Sequence, residues 1–337
     1  MEKFNVLIVG CGNIAGGYDL LQLEDALPLG HAKAFSQHGG FSLAGCVEPD
    51  TTKCLEFQQR WGVAEGYLNL QATCLNVGQF DVISICSPTA EHADNIQSAL
   101  ALKPRLIFCE KPVTSSFKDT QVAVQVCVEH QVLLAVNYSR RWSPQVLQLK
   151  DELADGRWGL VRSVSAFYNK GILNNGSHML DLLLCLFGPL HVASVGKPVN
   201  DFFPEDPSID ATLISDNGFP IQLNVAHAQD YALFEMQMIT EKGVINMENG
   251  GSRWRFRLSM ESVLLDGYRF LNSGEWVEPD GSYALTRAVD NIFEALQSGA
   301  ALASTGANAI KAQYLCEQIK QTALTQAASH ILRKYSK

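Results

Sequence analysis

Two short stretches of the sequence combine ionisable side chains with positions from which these could reach a ligand. Lys111 lies in Glu110-Lys111-Pro112, directly after an apolar run typical of a buried strand. Residues just past the carboxyl ends of parallel strands line the ligand crevice of such sheets. His178 and Asp181 are three residues apart in a predicted helix, so they share one face. Amines, imidazoles and carboxylates can move protons in catalysis. The alternatives are a surface lysine that caps the next helix and a structural histidine.

A glycine-rich turn near the amino terminus has the spacing of a dinucleotide-binding motif. The apolar residues 6–9 run directly into Gly10-x-Gly12-x-x-Ala15. In this motif the first glycine permits a tight turn, the second lets the backbone approach a pyrophosphate, and the third small residue lets helix and strand pack closely. The helix amino terminus offers N–H groups and a partial positive charge to the phosphates. The flanking strand favours this interpretation over an ordinary glycine-rich loop, so we expect a nicotinamide dinucleotide.

An acidic residue after the second predicted strand indicates which dinucleotide is bound. Glu48 stands where this fold places the carboxylate for the ribose hydroxyls. The spacing from the glycine turn exceeds the usual ~20 residues, because residues 17–30 read as an insertion. A carboxylate favours NAD and repels the additional phosphate of NADP, whereas the nearby Lys53 leaves NADP open. We expect NAD to be preferred, and the insertion to overhang the cofactor and help to close the cleft.

The elements that must position these residues predict two domains, one over residues 1–140 and one over residues 141–337. The first alternates strands and helices, as in an α/β fold with a doubly wound parallel (Rossmann) sheet. Its apolar runs lie at 5–9, 42–47, 82–86, 106–109 and 133–136, and its helical stretches at 31–38, 52–61, 89–102 and 117–130. The second reads as an α+β domain with an open-faced, mostly antiparallel sheet. Its strand-like runs lie at 161–168, 190–197, 211–215, 221–228, 233–240, 243–246, 254–259 and 262–266, with helices at 177–187, 284–298 and 307–329. Asp280-Gly281 is expected to close the strand series.

Composition and charge narrow the classes of partner. The 337 residues carry a net charge of −9, and without a basic run we expect neither nucleic acid nor an anionic membrane as partner. No apolar run reaches the ~18 residues of a membrane span, and no signal peptide is expected. Nine scattered cysteines without a CxxC pair indicate reduced, mostly buried thiols of a cytoplasmic protein. No His, Cys or carboxylate spacing predicts a metal site.

Several of these motifs resemble those of the Gfo/Idh/MocA family, named for glucose–fructose oxidoreductase, inositol dehydrogenase and MocA. The resemblance covers essentially the whole chain, and Glu110-Lys111-Pro112 is its most specific mark. The matching segments are residues 10–15, 47–50, 87–92, 110–112, 137–144 and 178–181. The resemblance implies an NAD(P)-dependent transfer of a hydride to or from a hydroxyl or carbonyl carbon of a sugar, polyol or sugar derivative. It also implies a homodimer or homotetramer formed through the sheet of the second domain.

The resemblance further implies roles for individual residues. Lys111 is expected beside the nicotinamide, where burial and the cationic ring lower its pKa, so that it takes the hydroxyl proton in oxidation. His178 is expected to be a second acid or base or to orient the substrate, and Asp181 to hold its imidazole tautomer. The implied cofactor-binding residues are Gly10, Gly12, Asn13, Ile14, Glu48, Ser87, Pro88, Thr89, His92, Glu110 and Lys111. The implied substrate-binding residues are Lys111, Lys170, Asn174 and His178. Residues 87–89 read alternatively as a simple helix start.

Asn174 marks a departure from the family, many members of which carry an aspartate four residues before the histidine. An amide can hydrogen-bond a substrate hydroxyl but cannot accept its proton. This shifts the expected catalytic work to Lys111 and His178. It also leaves open a cofactor-binding sensor that has lost turnover, and an enzyme that oxidises and re-reduces a sugar within one cycle. Arg140 and Arg141 are expected to be structural, with an anionic substrate group as the alternative.

Overall fold

The computed structural model of the chain describes residues 3–23, 25–278 and 284–335, and the chain divides into two compact units. The first unit contains residues 1–143 and 281–310, and the second contains residues 144–280 and 311–337. Residues 281–310, which the sequence predicts in the second domain, therefore cluster with the first. The predicted turn at Asp280-Gly281 lies outside the described residues.

The described residues form α-helices and strands whose bounds are as follows. The strands are β1 (Phe4–Val9), β2 (Phe41–Val47), β3 (Glu65–Tyr67), β4 (Val82–Ile85), β5 (Leu106–Cys109), β6 (Leu133–Val136), β7 (Val161–Tyr168), β8 (Leu190–Phe203), β9 (Asp206–Ser215), β10 (Pro220–Val225), β11 (Phe234–Thr240), β12 (Gly243–Glu248), β13 (Arg253–Glu261), β14 (Arg269–Leu271) and β15 (Glu275–Val277). The helices are α1 (His31–Gln37), α2 (Thr51–Trp61), α3 (His92–Leu100), α4 (Phe117–Glu129), α5 (Pro144–Ala154), α6 (Ser177–Phe187), α7 (Ala284–Ser298) and α8 (Gly306–Tyr335).

The first unit contains a parallel six-stranded sheet in the order β3-β2-β1-β4-β5-β6. All residues of β4 and β5 are buried, as expected for strands covered by helices on both faces. The order reverses direction between β1 and β4, which is where doubly wound sheets bind ligands. The Rossmann prediction is confirmed. The short β3 escaped prediction because two of its three residues are exposed and it has no apolar run.

The second unit contains a nine-stranded sheet in the order β14-β13-β12-β11-β7-β10-β9-β8, with β15 paired to β13. Only β7 and β10 run parallel among its pairs of described strands, so the mostly antiparallel prediction is confirmed. Alternate residues of β7, such as Ala166 and Tyr168, are buried in a core shared with Leu183 of α6 and Ile319 of α8. One face of the sheet thus carries the helices that position the second group of site residues.

Two element predictions differ from the structure. The prediction of a strand over residues 262–266 is wrong, because these residues form the turn between β13 and β14. Ser262 Oγ accepts hydrogen bonds from Leu264 N at 3.2 Å and Leu265 N at 3.0 Å, and the apolar run that suggested a strand is exposed, with Leu264 at 92%. The predicted helix over residues 89–102 begins with a separate 3-10 turn at Thr89–Glu91, and the α-helix starts at His92. Within the described part of the chain, no helix has both the length and the apolar character to cross a bilayer.

Candidate active site

The first glycine of the turn brings the ends of three strands together. Gly10 N donates to Val47 O at 2.8 Å, and Cys86 N donates to Val9 O at 2.7 Å. Gly10 has a φ of +86°, and a Cβ at this position would lie 2.7 Å from Ser87 N. Only glycine satisfies both conditions without strain. The loops after β1 and β4 therefore meet at the point where the strand order reverses.

The second glycine leaves open space in front of the same turn. A Cβ on Gly12 would meet no atom within 4 Å, and Gly12 and Asn13 are exposed. Gly16 N donates to Gly12 O at 3.3 Å, so a helical turn begins here. Ala15 is fully buried, as the third position of the motif requires. An exposed backbone and a helix start without side-chain obstruction fit the pyrophosphate of a dinucleotide.

Glu48 is half-buried and is bound to the glycine turn. Its Oε2 accepts a hydrogen bond from Cys11 N at 3.0 Å, and its Oε1 accepts one from Asp50 N at 3.2 Å. A carboxylate has about four acceptor positions, so each oxygen keeps capacity for a ribose hydroxyl. Lys53 is exposed on α2, whose first turn is capped by the carboxylate of Asp50. Two carboxylates in this position fit the ribose of NAD better than the phosphate of NADP.

The predicted insertion proves to be an excursion from a helix. His31 N donates to Ile14 O at 3.0 Å and Ala32 N donates to Ala15 O at 2.8 Å, so helical hydrogen bonding continues from one side of the excursion to the other. The buried Asp19 closes its base, because its carboxylate accepts from Leu29 N at 2.9 Å and Gly30 N at 2.7 Å. We call residues 16–30 the excursion. Its contact with a cofactor stays a prediction.

Lys111 follows β5 and is half-buried, and the adjacent Glu110 is 9% exposed. Glu110 Oε1 accepts from His31 Nε2 at 2.8 Å and from Asn137 Nδ2 at 2.6 Å, while Oε2 accepts from Lys111 N at 3.3 Å. His31 is fully buried, and its Nδ1 lies 2.8 Å from Ser84 Oγ. Asn137 Oδ1 is buried without a hydrogen-bond partner among the described residues. A buried acceptor in this position fits a ligand that carries an amide N–H.

The buried His31 and Glu110 side chains form an ion pair. Burial alone would lower the pKa of His31, but Cys86 and Glu110 outweigh it and raise that pKa to about 10. Burial alone would raise the pKa of Glu110, but the hydrogen bond and charge of His31 outweigh it and hold that pKa below its ordinary value, helped by Asn137 and Lys111. Sequence reasoning gave His31 no role, because a single histidine at a helix start is indistinguishable from a core residue. Asn137 was part of a matching segment but had no assigned role.

The residues after β4 lie beside the glycine turn. Ser87 is buried, Pro88 is exposed and Thr89 is half-buried. His92 is 1% exposed, with Nε2 2.8 Å from Ser87 O and Nδ1 3.0 Å from Pro112 O. The imidazole therefore ties the loop after β4 to the loop after β5. Direct contact of these four residues with a cofactor stays a prediction.

The second unit carries the other substrate-binding candidates on one short segment. Residues 169–170 follow β7, a π-helical turn spans Gly171–Gly176, and α6 begins at Ser177. Such π-turns are frequent at functional sites. Asn174 Nδ2 donates to Lys170 O at 3.0 Å, which an ionised aspartate in the same place could not do. Lys170 Nζ lies 5.4 Å from the centre of the Phe202 ring.

Two aspartates from the β8–β9 hairpin hold this segment by its backbone. Asp201 Oδ2 accepts from Lys170 N at 2.8 Å, and Asp201 is 3% exposed. Asp206 Oδ1 accepts from Leu173 N at 2.9 Å, and its Oδ2 accepts from Asn174 N at 2.8 Å. Sequence reasoning missed both aspartates, since nothing local connects them to residues 170–174.

His178 and Asp181 lie on α6, with His178 half-buried and Asp181 1% exposed. Their spacing places them on one helix face, as predicted. The catalytic roles of Lys111, His178 and Asp181 stay predictions. Among the residues that the structure describes, no group of three or more His, Cys, Asp or Glu side chains could hold a metal ion.

Comparison with known sequences supports the predicted family. The family described as "Oxidoreductase family, NAD-binding Rossmann fold" (GFO_IDH_MocA) matches residues 4–138. The uncharacterized oxidoreductase YrbE of Bacillus subtilis (strain 168) is 42% identical over 79 residues, which is 23% of each chain. The inositol 2-dehydrogenase of Rhizobium meliloti (strain 1021) is 24% identical over 259 residues, covering 70% of this chain and 76% of that protein.

Comparison with solved structures supports the fold of both units. The WlbA dehydrogenase from Bordetella pertussis, solved in complex with NADH and UDP-GlcNAcA, has a TM-score of 0.76 at 18% identity, covering 96% of this chain and 97% of that one. The resemblance to the Gfo/Idh/MocA oxidoreductases is therefore confirmed, and residues 4–138 match that family's NAD-binding Rossmann domain.

Proposed function

We propose that this chain is an NAD-dependent oxidoreductase that transfers a hydride to or from a hydroxyl or carbonyl carbon of a sugar, polyol or sugar derivative. The placement of Lys111 carries the proposal. It is half-buried at the carboxyl end of β5, in the same sheet as the glycine turn, where the space in front of Gly12 is open. The similarity to an inositol 2-dehydrogenase supports the substrate class.

In this proposal the residues of the chain bind, orient and deprotonate the substrate. NAD, when bound, supplies the hydride acceptor on its nicotinamide ring. Lys111 Nζ takes the hydroxyl proton in oxidation and returns it in reduction. His178 orients the reacting hydroxyl through its imidazole, and Asp181 fixes the tautomer of that imidazole. Asn174 and Lys170 shape the segment that contacts the remaining hydroxyls.

In this proposal, residues at the carboxyl edge of the first unit's sheet bind the cofactor. The backbone at Gly12, Asn13 and Ile14 would hold the pyrophosphate, and Glu48 would hold the ribose hydroxyls of the adenosine half. The buried carboxylate of the paired Glu110 and the backbone near Ser87 would border the nicotinamide half. NAD is proposed over NADP because the carboxylates of Glu48 and Asp50 follow β2, where the ribose is expected.

We also propose that the sheet of the second unit forms a homodimer or homotetramer. On β7, Ser163, Ser165 and Phe167 remain half-buried while the alternate residues are packed under helices. Because this face of the sheet is only partly buried within one chain, a second copy of the chain could pack against it. Light scattering coupled to size exclusion should give two or four times the chain mass, and a monomer at micromolar concentration would contradict this part.

A substrate panel tests the proposed reaction. The purified chain is incubated with NAD and each of a set of sugars, inositols and nucleotide sugars, and NADH formation is followed at 340 nm. We expect a signal with one chemical class, and a rate roughly 10²- to 10⁴-fold lower from the Lys111→Ala variant. Tight NAD binding without NADH formation on any substrate would contradict the proposal, and would favour a sensor or a closed redox cycle.

A further inference from the structure

The residues around Glu110 form a buried polar group that includes His31, to which the proposed reaction gives no task. Glu110 lies between His31, Asn137 and the Lys111 backbone, at the hydrogen-bond distances of 2.8, 2.6 and 3.3 Å. The four residues come from the start of α1, the end of β5 and the end of β6. Such a convergence in the interior is costly unless every charge is compensated.

The hydrogen bonds of His31 are those that an imidazolium can make. An imidazolium has two N–H donors, and both ring nitrogens of His31 have an oxygen at 2.8 Å, one on Ser84 and one on Glu110. His31 and Glu110 each titrate in the direction that favours an ion pair, as described above. The pair therefore carries one positive and one negative charge, with no net charge.

We propose that His31 is a positioning residue whose charge balances Glu110, so that Glu110 can hold the Lys111 backbone without fixing the Lys111 side chain as an ammonium. This rests on the proposed role of Lys111 as the base. A carboxylate without a counter-charge favours the protonated form of a neighbouring lysine. A base must lose its proton at working pH. The proton on His31 stays where it is throughout, and no proton passes through the pair.

The other groups described below that face Glu110 in the first unit do not supply the positive charge that compensates its carboxylate. β4 contributes the Ser84 hydroxyl and the Cys86 thiol, β5 contributes the Cys109 thiol, and the residue after β6 is the uncharged Asn137. Burial raises the pKa of Cys109 well above its ordinary value, so this thiol stays uncharged. Among the described residues, the charges that lower the pKa of Glu110 are thus those of His31 and Lys111.

The titration of Lys111 in the cofactor-free protein tests the proposal. Lysines are reductively methylated with ¹³C-formaldehyde, the Lys111 signal is assigned with Lys111→Arg, and its chemical shift is followed against pH. His31→Gln keeps a donor to Glu110 but removes the charge, so we expect the Lys111 midpoint to rise by on the order of one pH unit. Glu110→Gln should lower it, and the double variant should resemble Glu110→Gln.

A matched control separates charge from general damage to the helix. His38 is the residue after α1 and pairs with Asp290 at 3.7 Å, away from Glu110, so His38→Gln should leave the Lys111 midpoint in place. A midpoint unchanged in His31→Gln and in Glu110→Gln would overturn the proposal, even if both variants are less stable. If His31→Gln does not fold, the direction of the shift in Glu110→Gln decides the question.

The same variants distinguish this inference from the proposed function. Loss of turnover in Lys111→Ala together with an unmoved midpoint in His31→Gln overturns only the role of His31. Full turnover in Lys111→Ala overturns the proposed function, whatever the midpoints show. If both proposals hold, the pH profile of kcat for oxidation in His31→Gln moves to higher pH by the same amount as the midpoint.

Discussion

The segment that carries Lys111 and the segment that carries Asn174 and His178 are held in place by different means. In the first unit, Glu110 N donates to Ile85 O at 3.0 Å, so the hydrogen bonds of the parallel sheet extend into the site. In the second unit, residues 170–174 have left the sheet, and aspartates 31 to 33 residues further along accept their N–H groups. The end of a strand thus fixes Lys111, whereas side-chain carboxylates fix residues 170–174. The first mode ties Lys111 to the core through the sheet, and the second makes residues 170–174 depend on two side chains outside their own segment.

The largest effect is expected from removing the Lys111 amine, the proposed proton acceptor in the first unit. Lys111→Ala should lower kcat by roughly 10²- to 10⁴-fold, the usual contribution of a general acid or base. NAD affinity, measured by calorimetry, should stay nearly unchanged because the glycine turn and Glu48 are untouched. A larger loss of kcat in His178→Asn than in Lys111→Ala would move the main acid–base role to the second unit.

A substitution at Asp206 tests whether side-chain carboxylates hold residues 170–174. Asp206→Ala leaves Leu173 N and Asn174 N without their acceptor, which should cost about 2–3 kcal/mol in unfolding free energy. KM for substrate should rise while NAD affinity holds. Asp210 is the matched control, since it lies on the same strand, is exposed and accepts only from Val225 N at 2.7 Å among the bonds described. Equal losses in Asp206→Ala and Asp210→Ala would show that residues 170–174 do not depend on Asp206.

The ion pair of His31 and Glu110 in the first unit predicts that the stability of the fold depends on pH. The pKa of folded His31 is about 10 against an ordinary 6.5, so its stabilising contribution is complete below pH 6.5 and declines as pH rises towards 10. The pKa of Glu110 is lowered from 4.5, so its contribution is present above pH 4.5 and is lost as pH falls through the folded value. Urea unfolding between pH 6 and pH 10 should therefore show falling stability, and His31→Gln should flatten that decline. A decline as steep in His31→Gln as in the original chain would assign it to other groups.

A change at Glu48 should alter cofactor choice without altering either segment. Glu48→Gln keeps an acceptor for Cys11 N but removes the negative charge. Repulsion of the NADP phosphate should fall by about 1–2 kcal/mol, which is about a tenfold gain for NADP relative to NAD. Fluorescence titration with both reduced cofactors measures the ratio. Tighter binding of NADPH than of NADH by the unmodified chain would contradict the NAD preference.

The smallest effect is expected from the excursion. Replacing residues 16–30 by the two residues Ala-Gly, which gives Ile14 and His31 the spacing of an α-helical hydrogen bond, should change NAD affinity or release only a few-fold, and leave kcat for a saturating substrate similar unless release limits it. Stopped-flow measurement of NADH release resolves the two cases. No change in either affinity or release would show that the excursion does not cover the cofactor.

The two segments also differ in how far the sequence predicts them. The glycine turn, Glu48 and Lys111 follow nearly continuous apolar runs, and such runs indicate buried parallel strands from local sequence alone. The place of Lys111 at a strand end was therefore predictable, and so was α6 with His178. The contacts of Asp201 and Asp206 with residues 170–174 were not predictable, because the partners are more than 30 residues apart. Their donors are backbone N–H groups, which nearly every residue has, so the sequence does not distinguish them.

Further features could not be predicted from the pattern of apolar and polar residues in the sequence. His31 and Glu110 compensate each other across 79 residues, and a charge pair of this kind is invisible until the strands place its members together. The strand prediction over residues 262–266 was wrong because the apolar side chains there are exposed, and apolar composition indicates a strand only where the side chains are buried. The position of the insertion was predicted, but the helical hydrogen bonding that continues across it was not.

That continuity has a practical consequence. The excursion leaves and re-enters a helix at one point, where Ile14 O and Ala15 O meet His31 N and Ala32 N. Exposed tips closed at the base tolerate inserted domains, and lengthening them adds little loop entropy. A circularly permuted fluorescent protein placed after Leu21, a fully exposed residue, would lie on the same stretch of backbone as the glycine turn. The chain thereby offers a scaffold for a genetically encoded optical reporter of cellular redox cofactors.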